Sequence, residues 1–380
     1  MRTIGKYSFG IGDRFAHEGV NQLKALIKAE AEFGIRFTPV WNKSNREHTI
    51  IGTEPISTRK EADAAVKELG YDGDYFCDAD HINLGNVDKF IDSCDFFTID
   101  VADYIGKTGS ANERYLPAIK EAGRIYRHIE ALKGAGNFVT EVSMDEVERA
   151  QTPEEIRFIL SKLAEEKVPL QTFAPKFTGR FNKGVDYVGD IDKFESEFEE
   201  DLKVVAWAVK ELDLPANLKL SIHSGSDKFS IYPVIGRLIR KYDAGIHIKT
   251  AGTTWLEEII GLSIADPDAL LLAKKIYRIA LLRMDELTVP YATVIDVDKS
   301  KLPDPDTVDT WDSETFAKTL RHDRTQALYN PSFRQLIHVS FKVAAELKDE
   351  FYPALSRSAE VIGAEISANI CDRHIRRLFA

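Results

Sequence analysis

The sequence is poor in cysteine and has no long apolar run. Only Cys77, Cys94 and Cys371 occur among 380 residues, and no two of them have the spacing of a metal-binding or redox pair. This usage predicts a reducing, cytoplasmic location. The N-terminal residues contain no apolar segment of a signal peptide, and nowhere do about 18 apolar residues follow one another. We therefore expect neither secretion nor a membrane span.

Positive charge is also scarce. Lys and Arg number 50 against 61 Asp and Glu, which gives a formal charge of -11, and the basic residues are scattered along the chain. A nucleic-acid-binding protein needs a concentrated basic face to neutralise phosphates, so nucleic acid is not an expected partner. The sequence contains neither a P-loop nor a GxSxG nucleophile elbow, which argues against phosphoryl transfer and serine-hydrolase chemistry.

The first two-thirds of the chain repeats a strand-like run, a polar cluster and a stretch of helical period. The strand-like runs are residues 7–12, 35–40, 74–79, 96–100, 137–142, 170–175, 218–223 and 245–250. Stretches of helical period include residues 19–33, 58–69, 111–132, 153–166 and 193–212. Eight such units predict an α/β fold, a closed (β/α)8 TIM-type barrel. An open doubly wound sheet is the alternative, but the turn Gly10-Ile11-Gly12 lacks the third glycine of its phosphate-binding signature.

From residue 262 the pattern becomes mostly helical. Residues 266–284 form one candidate helix, and Asn330 as N-cap with Pro331 at the first helical position opens another through residue 348. Residues 296–312 are rich in Asp, Pro and Thr and are typical of a loop. We therefore predict a single domain, residues 1–380, in which a barrel of residues 1–261 carries a C-terminal helical extension of residues 262–380.

Polar residues gather at the predicted C-terminal ends of the strands, where the active sites of such barrels lie. In the seventh run, Lys219, Ser221 and His223 alternate with apolar residues that must pack against the helices, so His223 points into the barrel mouth. The same alternation points His247 and Lys249 inward from the eighth run. Two imidazoles on neighbouring strands can share one ion.

Glu141 in the fifth run and His81 after the third complete a set of three histidines and one carboxylate. Such a set suits a catalytic divalent metal cation, Zn, Mn, Co or Ni, with open positions for substrate oxygens. The alternative for each histidine is a hydrogen-bonded structural role, and Glu141 is alternatively a catalytic acid or base or a partner of Lys176. Asp80, beside His81, is the predicted general base, with a helix cap or loop residue as the alternative.

A second polar group is predicted to hold a carboxylate or phosphate of a small-molecule substrate, because it combines hydroxyls with cations. The alternative is a solvent-exposed turn. The predicted substrate-binding residues are Lys176, Arg180, Ser224, Ser226, Asp227, Lys228 and Lys249.

Six long motifs resemble the tagaturonate/fructuronate epimerase (UxaE-type) family. They are FCDADHI at 76–82, TEVSMDE at 140–146, TFAPKFTGRFNKGVDY at 172–187, SIHSGSDKF at 221–229, HIKTAGTTW at 247–255 and NPSFRQLIH at 330–338. The resemblance implies a divalent-metal-dependent epimerase, an isomerase that interconverts D-tagaturonate and D-fructuronate by inverting the ketohexose C4 position. It implies that His81, His223 and His247 are metal ligands, that Asp80 accepts a proton, and that Glu141 is an acid/base or a further ligand.

Two chemical routes fit this reaction, because the inverted carbon is β to the ketone and enolisation does not acidify its hydrogen. One is retro-aldol cleavage beside a metal that stabilises the enediolate, and the other is proton removal and return by two opposed groups such as Asp80 and Glu141. Alternative functions are a D-fructose/D-tagatose 4-epimerase, a metal-dependent aldolase or lyase, and a sugar-acid sensor, which needs no ion with open positions. Composition leaves a monomer and a homo-oligomer both open.

Overall fold

The computed structural model describes residues 2–223, 227–250 and 252–379, and its strands close into a parallel barrel. Each strand pairs with the next along the chain, and the last pairs with the first. The predicted fold class, a (β/α)8 TIM-type barrel, is confirmed. The strands are β1 (Tyr7–Gly12), β2 (Thr38–Ser44), β3 (Phe76–Ile82), β4 (Phe96–Asp100), β5 (Val139–Ser143), β6 (Thr172–Ala174), β7 (Lys219–His223) and β8 (Ile246–Thr250).

Helices cover the outside of the barrel. They are α1 (Gly19–Phe33), α2 (Asn45–Ile51), α3 (Ile56–Leu69), α4 (Ala111–Lys133), α5 (Pro153–Glu165), α6 (Ile191–Glu211), α7 (Tyr232–Lys241) and α8 (Thr253–Ala265). The structure describes every residue between β3 and β4, and this connection contains a short 3-10 turn at Val87–Lys89 instead of an α-helix. Elsewhere the predicted helices match the observed ones to within two residues at each end.

Several of these helices begin with reciprocal side-chain caps that are visible in the sequence. At the start of α4, the carboxylate of Glu113 accepts the backbone N–H of Ser110 at 2.8 Å, and the Ser110 hydroxyl accepts the N–H of Glu113. Thr152 and Glu155 form the same arrangement at α5, where Pro153 occupies the first turn. Such caps satisfy N–H groups that have no partner within the helix.

The C-terminal extension is helical and packs on the barrel helices, with contacts between α8 and α16 and between α7 and α17. The predicted boundary at residue 261 falls within α8. The extension contains α9 (Pro267–Leu282), α10 (Met284–Thr288), α11 (Pro305–Asp309), α12 (Ser313–Leu320), α13 (Pro331–Val339), α14 (Phe341–Glu346), α15 (Lys348–Arg357), α16 (Ala359–Ser367), a π-helical segment (Ala368–Ile375) and α17 (Arg376–Phe379).

Two predictions in the extension are wrong in detail. The helix expected over residues 330–348 is divided at Ser340, whose hydroxyl and N–H both donate to the Ile337 carbonyl and tighten the chain there. The loop expected over residues 296–312 contains a 3-10 turn and the helix α11. These begin at Asp298 and Asp304, whose side chains accept the N–H groups two residues on.

Side chains that point into the barrel change from apolar to polar along the strands. A separate apolar cluster is formed near the N-terminal ends of the strands by Ile4, Val40, Phe76, Phe96 and Val139. Farther along, buried polar side chains occupy the inward positions, namely Asn42, Asp78, Thr98, Glu141, Thr172, Ser221, His247 and Lys249. The outward residues between them join the main core under the helices. A polar interior therefore lies directly below the mouth, the C-terminal end of the barrel.

In the part of the chain described here, we find no helix with the length and apolar character needed to cross a membrane.

Candidate active site

Strand β3 is irregular at the two residues that reach the mouth. Its pairing with β4 shifts between Ala79 and Ile82, and His81 has a left-handed backbone with φ 51°. Strict alternation would point Asp80 inward and His81 toward the helices. The irregularity turns the His81 ring to the mouth, where Nδ1 lies 3.2 Å from Oδ2 of Asp100. A strained non-glycine backbone of this kind costs about 1–3 kcal/mol and is concentrated at functional sites.

His223, at the end of β7, meets two carboxylates from β5 and the loop after it. Its Nε2 lies 2.8 Å from Oε1 of Glu141, and its Nδ1 lies 3.4 Å from Oδ1 of Asp145. The Ser143 hydroxyl donates to Oδ1 of Asp145 at 2.6 Å and holds that carboxylate in place. Burial disfavours the protonated imidazole, but Asp145 and Glu141 outweigh it and raise the pKa of His223 to about 9.

His81, Asp145 and His223 form what we call the His/Asp group. Each offers one ligand atom, and these atoms all lie within 4.8 Å of one another. One nitrogen of each imidazole faces a carboxylate, Asp100 for His81 and Glu141 for His223, which fixes the ring orientation. Nδ1 of His223 is buried without a hydrogen-bond partner. The side chains of His81 and Asp145 are partly exposed and that of His223 is almost buried, so the group is open on the side of His81 and Asp145. This donor set fits a divalent transition-metal ion.

Lys249 lies below the His/Asp group, surrounded by carboxylates. Its Nζ is 2.7 Å from Oδ2 of Asp78, 2.6 Å from Oδ1 of Asp80 and 3.4 Å from Oε1 of Glu141. Burial alone would lower the pKa of Lys249, but these three charges outweigh it and hold the pKa well above its usual value. The ammonium thus neutralises part of the negative charge in the barrel. The inward direction predicted for Lys249 is confirmed, and its role as a substrate-binding residue stays a prediction.

Glu141 is fully buried behind His223. Its Oε1 accepts a hydrogen bond from the Thr98 hydroxyl at 3.0 Å in addition to its contacts with His223 and Lys249. Burial would raise the pKa of Glu141, but Lys249 and His223 hold it well below its usual value. An ionised carboxylate in this position orients the His223 ring and has little access to a substrate in the mouth.

His247 lies one layer deeper than His223. In the β7–β8 pairing, His223 is opposite Lys249, and His247 is opposite Ser221. Its Nδ1 lies 2.8 Å from the Ser8 hydroxyl, and burial lowers the pKa of His247 to about 3. The geometry does not bring His247 into the His/Asp group, and its role as a metal ligand stays a prediction.

Asp227, predicted to bind substrate, contacts the C-terminal extension. It is fully buried and accepts a hydrogen bond from Nη2 of Arg334 at 2.8 Å and from Nδ2 of Asn369 at 3.2 Å, and it lies 3.2 Å from Nδ1 of His322. Arg334 also donates to the carbonyls of Gly184 and Leu320, each at 2.7 Å. These contacts tie the segment after β7 to the extension and occupy the Asp227 carboxylate.

The other residues predicted to bind substrate are spread over several environments. Lys228 is buried and donates to the carbonyls of Asn182 and Val185 at 2.9 and 2.7 Å. Lys176 is half-buried just beyond β6, and Arg180 is exposed, with Nη1 3.3 Å from Oδ2 of Asp296. Ser224 and Ser226 lie outside the described residues. Among the described residues of this set, Lys176, Arg180 and Asp227 form no hydrogen bond or ion pair with the His/Asp group, whereas Lys249 lies directly below it.

Sequence reasoning missed Asp145 as a member of the His/Asp group and Asp100 as the partner of His81. A signal for Asp145 is present, because Glu141, Ser143 and Asp145 share the inward parity of β5 and continue it past the end of the strand. No sequence signal gives the pairing of Asp100 with His81, because it depends on the irregularity in β3.

Comparison with known proteins places the chain among sugar-acid epimerases. Residues 110–378 match the family described as UxaE: tagaturonate epimerase. A tagaturonate/fructuronate epimerase from Thermotoga maritima is 26% identical over 423 residues, a match that covers 99% of this chain and 81% of that protein.

Solved structures share the fold. The glycerol-complexed crystal structure of fructuronate-tagaturonate epimerase UxaE from Cohnella laeviribosi superimposes with a TM-score of 0.85 at 23% identity, covering 99% of this chain and 82% of that one. A probable tagatose 6 phosphate kinase from Sinorhizobium meliloti 1021 superimposes with a TM-score of 0.57 at 13% identity, covering 100% of this chain and 99% of that one. At these identities the likeness concerns the fold alone, and a fold does not determine a reaction.

Proposed function

The chain belongs to the tagaturonate epimerase family and is a carbohydrate epimerase, an isomerase, and from this premise we propose that it interconverts D-tagaturonate and D-fructuronate with a divalent metal ion held by His81, Asp145 and His223. The observation that carries the metal assignment is the arrangement of the two imidazoles. Each has one nitrogen at a carboxylate, and the ligand atoms of the group converge at the mouth. The donor set suits Zn, Mn, Co or Ni.

A bound ion would supply Lewis-acid chemistry, the polarisation of substrate oxygens. The protein supplies the groups that hold and move protons around it. Asp80 is the best-placed base, because its carboxylate lies between Lys249 at 2.6 Å and Nε2 of His81 at 3.6 Å, at the edge of the group. Lys249, His81 and His223 hold the pKa of Asp80 below its usual value against the effect of burial, so the carboxylate is ionised and able to accept a proton.

In the retro-aldol route, Asp80 moves the proton while one carbon–carbon bond breaks and re-forms. Asp80 takes the proton from the hydroxyl on the carbon to be inverted, the carbon–carbon bond on its ketone side breaks, and that hydroxyl becomes an aldehyde. The electron pair of the broken bond forms the enediolate of the three-carbon ketone fragment. The aldehyde turns, the bond re-forms on its other face, and Asp80 returns the proton to the new alkoxide. The hydrogen on the inverted carbon is never exchanged.

The rival route removes that hydrogen directly with two opposed groups, Asp80 and Glu141. The buried position of Glu141 behind His223 favours an orienting role for it, and this supports the retro-aldol route. The two routes differ in whether solvent hydrogen enters the product.

NMR of D-fructuronate incubated with the metal-loaded protein in deuterated water tests the proposal. We expect D-tagaturonate to accumulate to an equilibrium mixture with protium retained at the inverted carbon. Deuterium at that carbon would contradict the retro-aldol route while leaving the epimerase intact. Release of two three-carbon products without any epimer would instead indicate the lyase alternative, and conversion of D-fructose alone would indicate the neutral-sugar epimerase.

A further inference from the structure

We propose that Lys183 binds the carboxylate of the sugar-acid substrate and thereby selects uronates over neutral ketohexoses. This inference rests on the proposed function and names the residue that would determine its specificity. Lys183 belongs to the long segment between β6 and α6, and it was not among the residues predicted to bind substrate.

The backbone of Lys183 is fixed against the extension. Its N–H donates to the carbonyl of Val294 at 2.7 Å, and its carbonyl accepts from Nε2 of Gln335 at 3.0 Å. The next residue, Gly184, has φ 76°, a left-handed conformation that favours glycine, and its carbonyl accepts a hydrogen bond from Arg334. These contacts fix the backbone and therefore the direction in which the Lys183 side chain leaves it.

The charged groups that act on the Lys183 ammonium come from several strand ends around the mouth. They are Glu146 after β5, Arg14 after β1, Glu47 in α2 and Asp80 in β3. Partial burial lowers the pKa of Lys183, and the three carboxylates oppose that effect. The position of the side chain agrees with this. The Tyr291 ring, whose centroid lies 5.7 Å from Nζ of Lys183, also lies 5.5 Å from the guanidinium carbon of Arg46 just after β2, so the Lys183 ammonium lies at the mouth near the end of β2.

Three other cations near the mouth are engaged by the protein. Lys249 is held between carboxylates, and Lys228 donates to two carbonyls. Arg14 donates to Glu47 at 3.1 Å and to the carbonyl of His338 at 2.7 Å.

The Lys183 ammonium differs from these three cations. Over the described ranges it makes no ion pair or side-chain hydrogen bond, and its Nζ lies 5.7 Å from the ring centroid of Tyr291. The Lys183 ammonium has three N–H donors and a positive charge, and it lies at the mouth where we propose that the sugar acid binds. These properties match a substrate carboxylate.

Steady-state kinetics of Lys183→Met and Lys183→Arg on D-fructuronate and D-fructose test the inference. We expect Lys183→Met to raise KM for D-fructuronate roughly 10- to 100-fold, the range for a lost charge-assisted hydrogen bond, with kcat changed less than about threefold. Any rate on D-fructose should be unchanged, and Lys183→Arg should recover most of the affinity. Lys193→Met, an exposed lysine on α6, is the matched control for loss of one positive charge.

Lys176→Met separates Lys183 from the other lysine near β6. A selective loss of D-fructuronate affinity in Lys176→Met with none in Lys183→Met would overturn the inference. So would an unchanged KM, or an equal loss on both sugars, in a Lys183→Met protein with unaltered thermal unfolding. If the parent enzyme turns over D-fructose but not D-fructuronate, the proposed uronate function fails first, and that result is distinct from any effect of Lys183.

Discussion

Replacing His223 by alanine is expected to lower kcat/KM for D-fructuronate by about 1000-fold, while the barrel remains folded. The change removes one of the three proposed ligands in the His/Asp group, together with the nitrogen that faces Asp145. Loss of a metal that polarises substrate oxygens forfeits about 4 kcal/mol of transition-state stabilisation, and each 1.36 kcal/mol corresponds to a factor of ten. Glu141 keeps its contacts with Thr98 and Lys249, and Asp145 keeps the hydrogen bond from the Ser143 hydroxyl, so neither carboxylate loses all of its partners.

Metal content and turnover measured together on a set of variants check this prediction. His128→Ala is the matched control, because His128 is an exposed histidine of α4 that pairs with Asp88. Asp145→Asn should lose the metal as His223→Ala does, whereas His247→Gln should retain it, because His247 lies one layer deeper. Metal retained in Asp145→Asn but lost in His247→Gln would replace Asp145 by His247 as the third ligand.

Replacing Lys249 by methionine is expected to abolish turnover and to lower the free energy of unfolding by about 3–5 kcal/mol. The change leaves the carboxylates of Asp78, Asp80 and Glu141 close together in the barrel without their shared ammonium. Removing one partner of a buried ion pair is costly because the remaining charge is neither solvated nor paired. An arginine is unsuitable as a rescue, because the Lys249 side chain lies close against Gly10 and the barrel there is filled.

Chemical denaturation of Lys249→Met beside Lys219→Met checks the effect on stability. Lys219 is also a buried lysine of the barrel, but its ammonium donates to the carbonyl of Gly5 and makes no ion pair among the residues the structure covers. We expect its replacement to cost about 1 kcal/mol, the value of one hydrogen bond. Equal losses of unfolding free energy in the two variants would contradict the account of Lys249. They would show that Asp78, Asp80 and Glu141 do not need its positive charge to remain buried.

The fold and half of the site follow from the sequence because they depend on local periodicity. Alternation in β7 and β8 correctly points His223 and Lys249 into the barrel. The same rule says nothing about depth, so it cannot separate His223 from His247, whose levels are fixed by the register between strands. It fails for His81, where the irregularity in β3 reverses the direction that parity assigns.

Contacts between distant parts of the chain account for the remaining differences. Asp227 has a sequence neighbourhood typical of a binding turn, but its partners Arg334 and Asn369 lie more than 100 residues away. Lys183 lies within the motif of residues 172–187, but local spacing does not distinguish it from Lys176 or Arg180. The packing of its segment on Val294 and Gln335 fixes its position at the mouth. Such tertiary contacts are not encoded in local spacing.

Stepwise metal reconstitution is the most direct test of the central claim, that an ion in the His/Asp group is required for epimerisation. The chain would be stripped with a chelator and returned Mn²⁺ or Zn²⁺ in increments, with bound metal and the NMR rate on D-fructuronate measured on the same samples. The account predicts a rate that rises in proportion to bound metal and levels off at about one ion per chain. Full epimerase activity in the metal-free protein would contradict it.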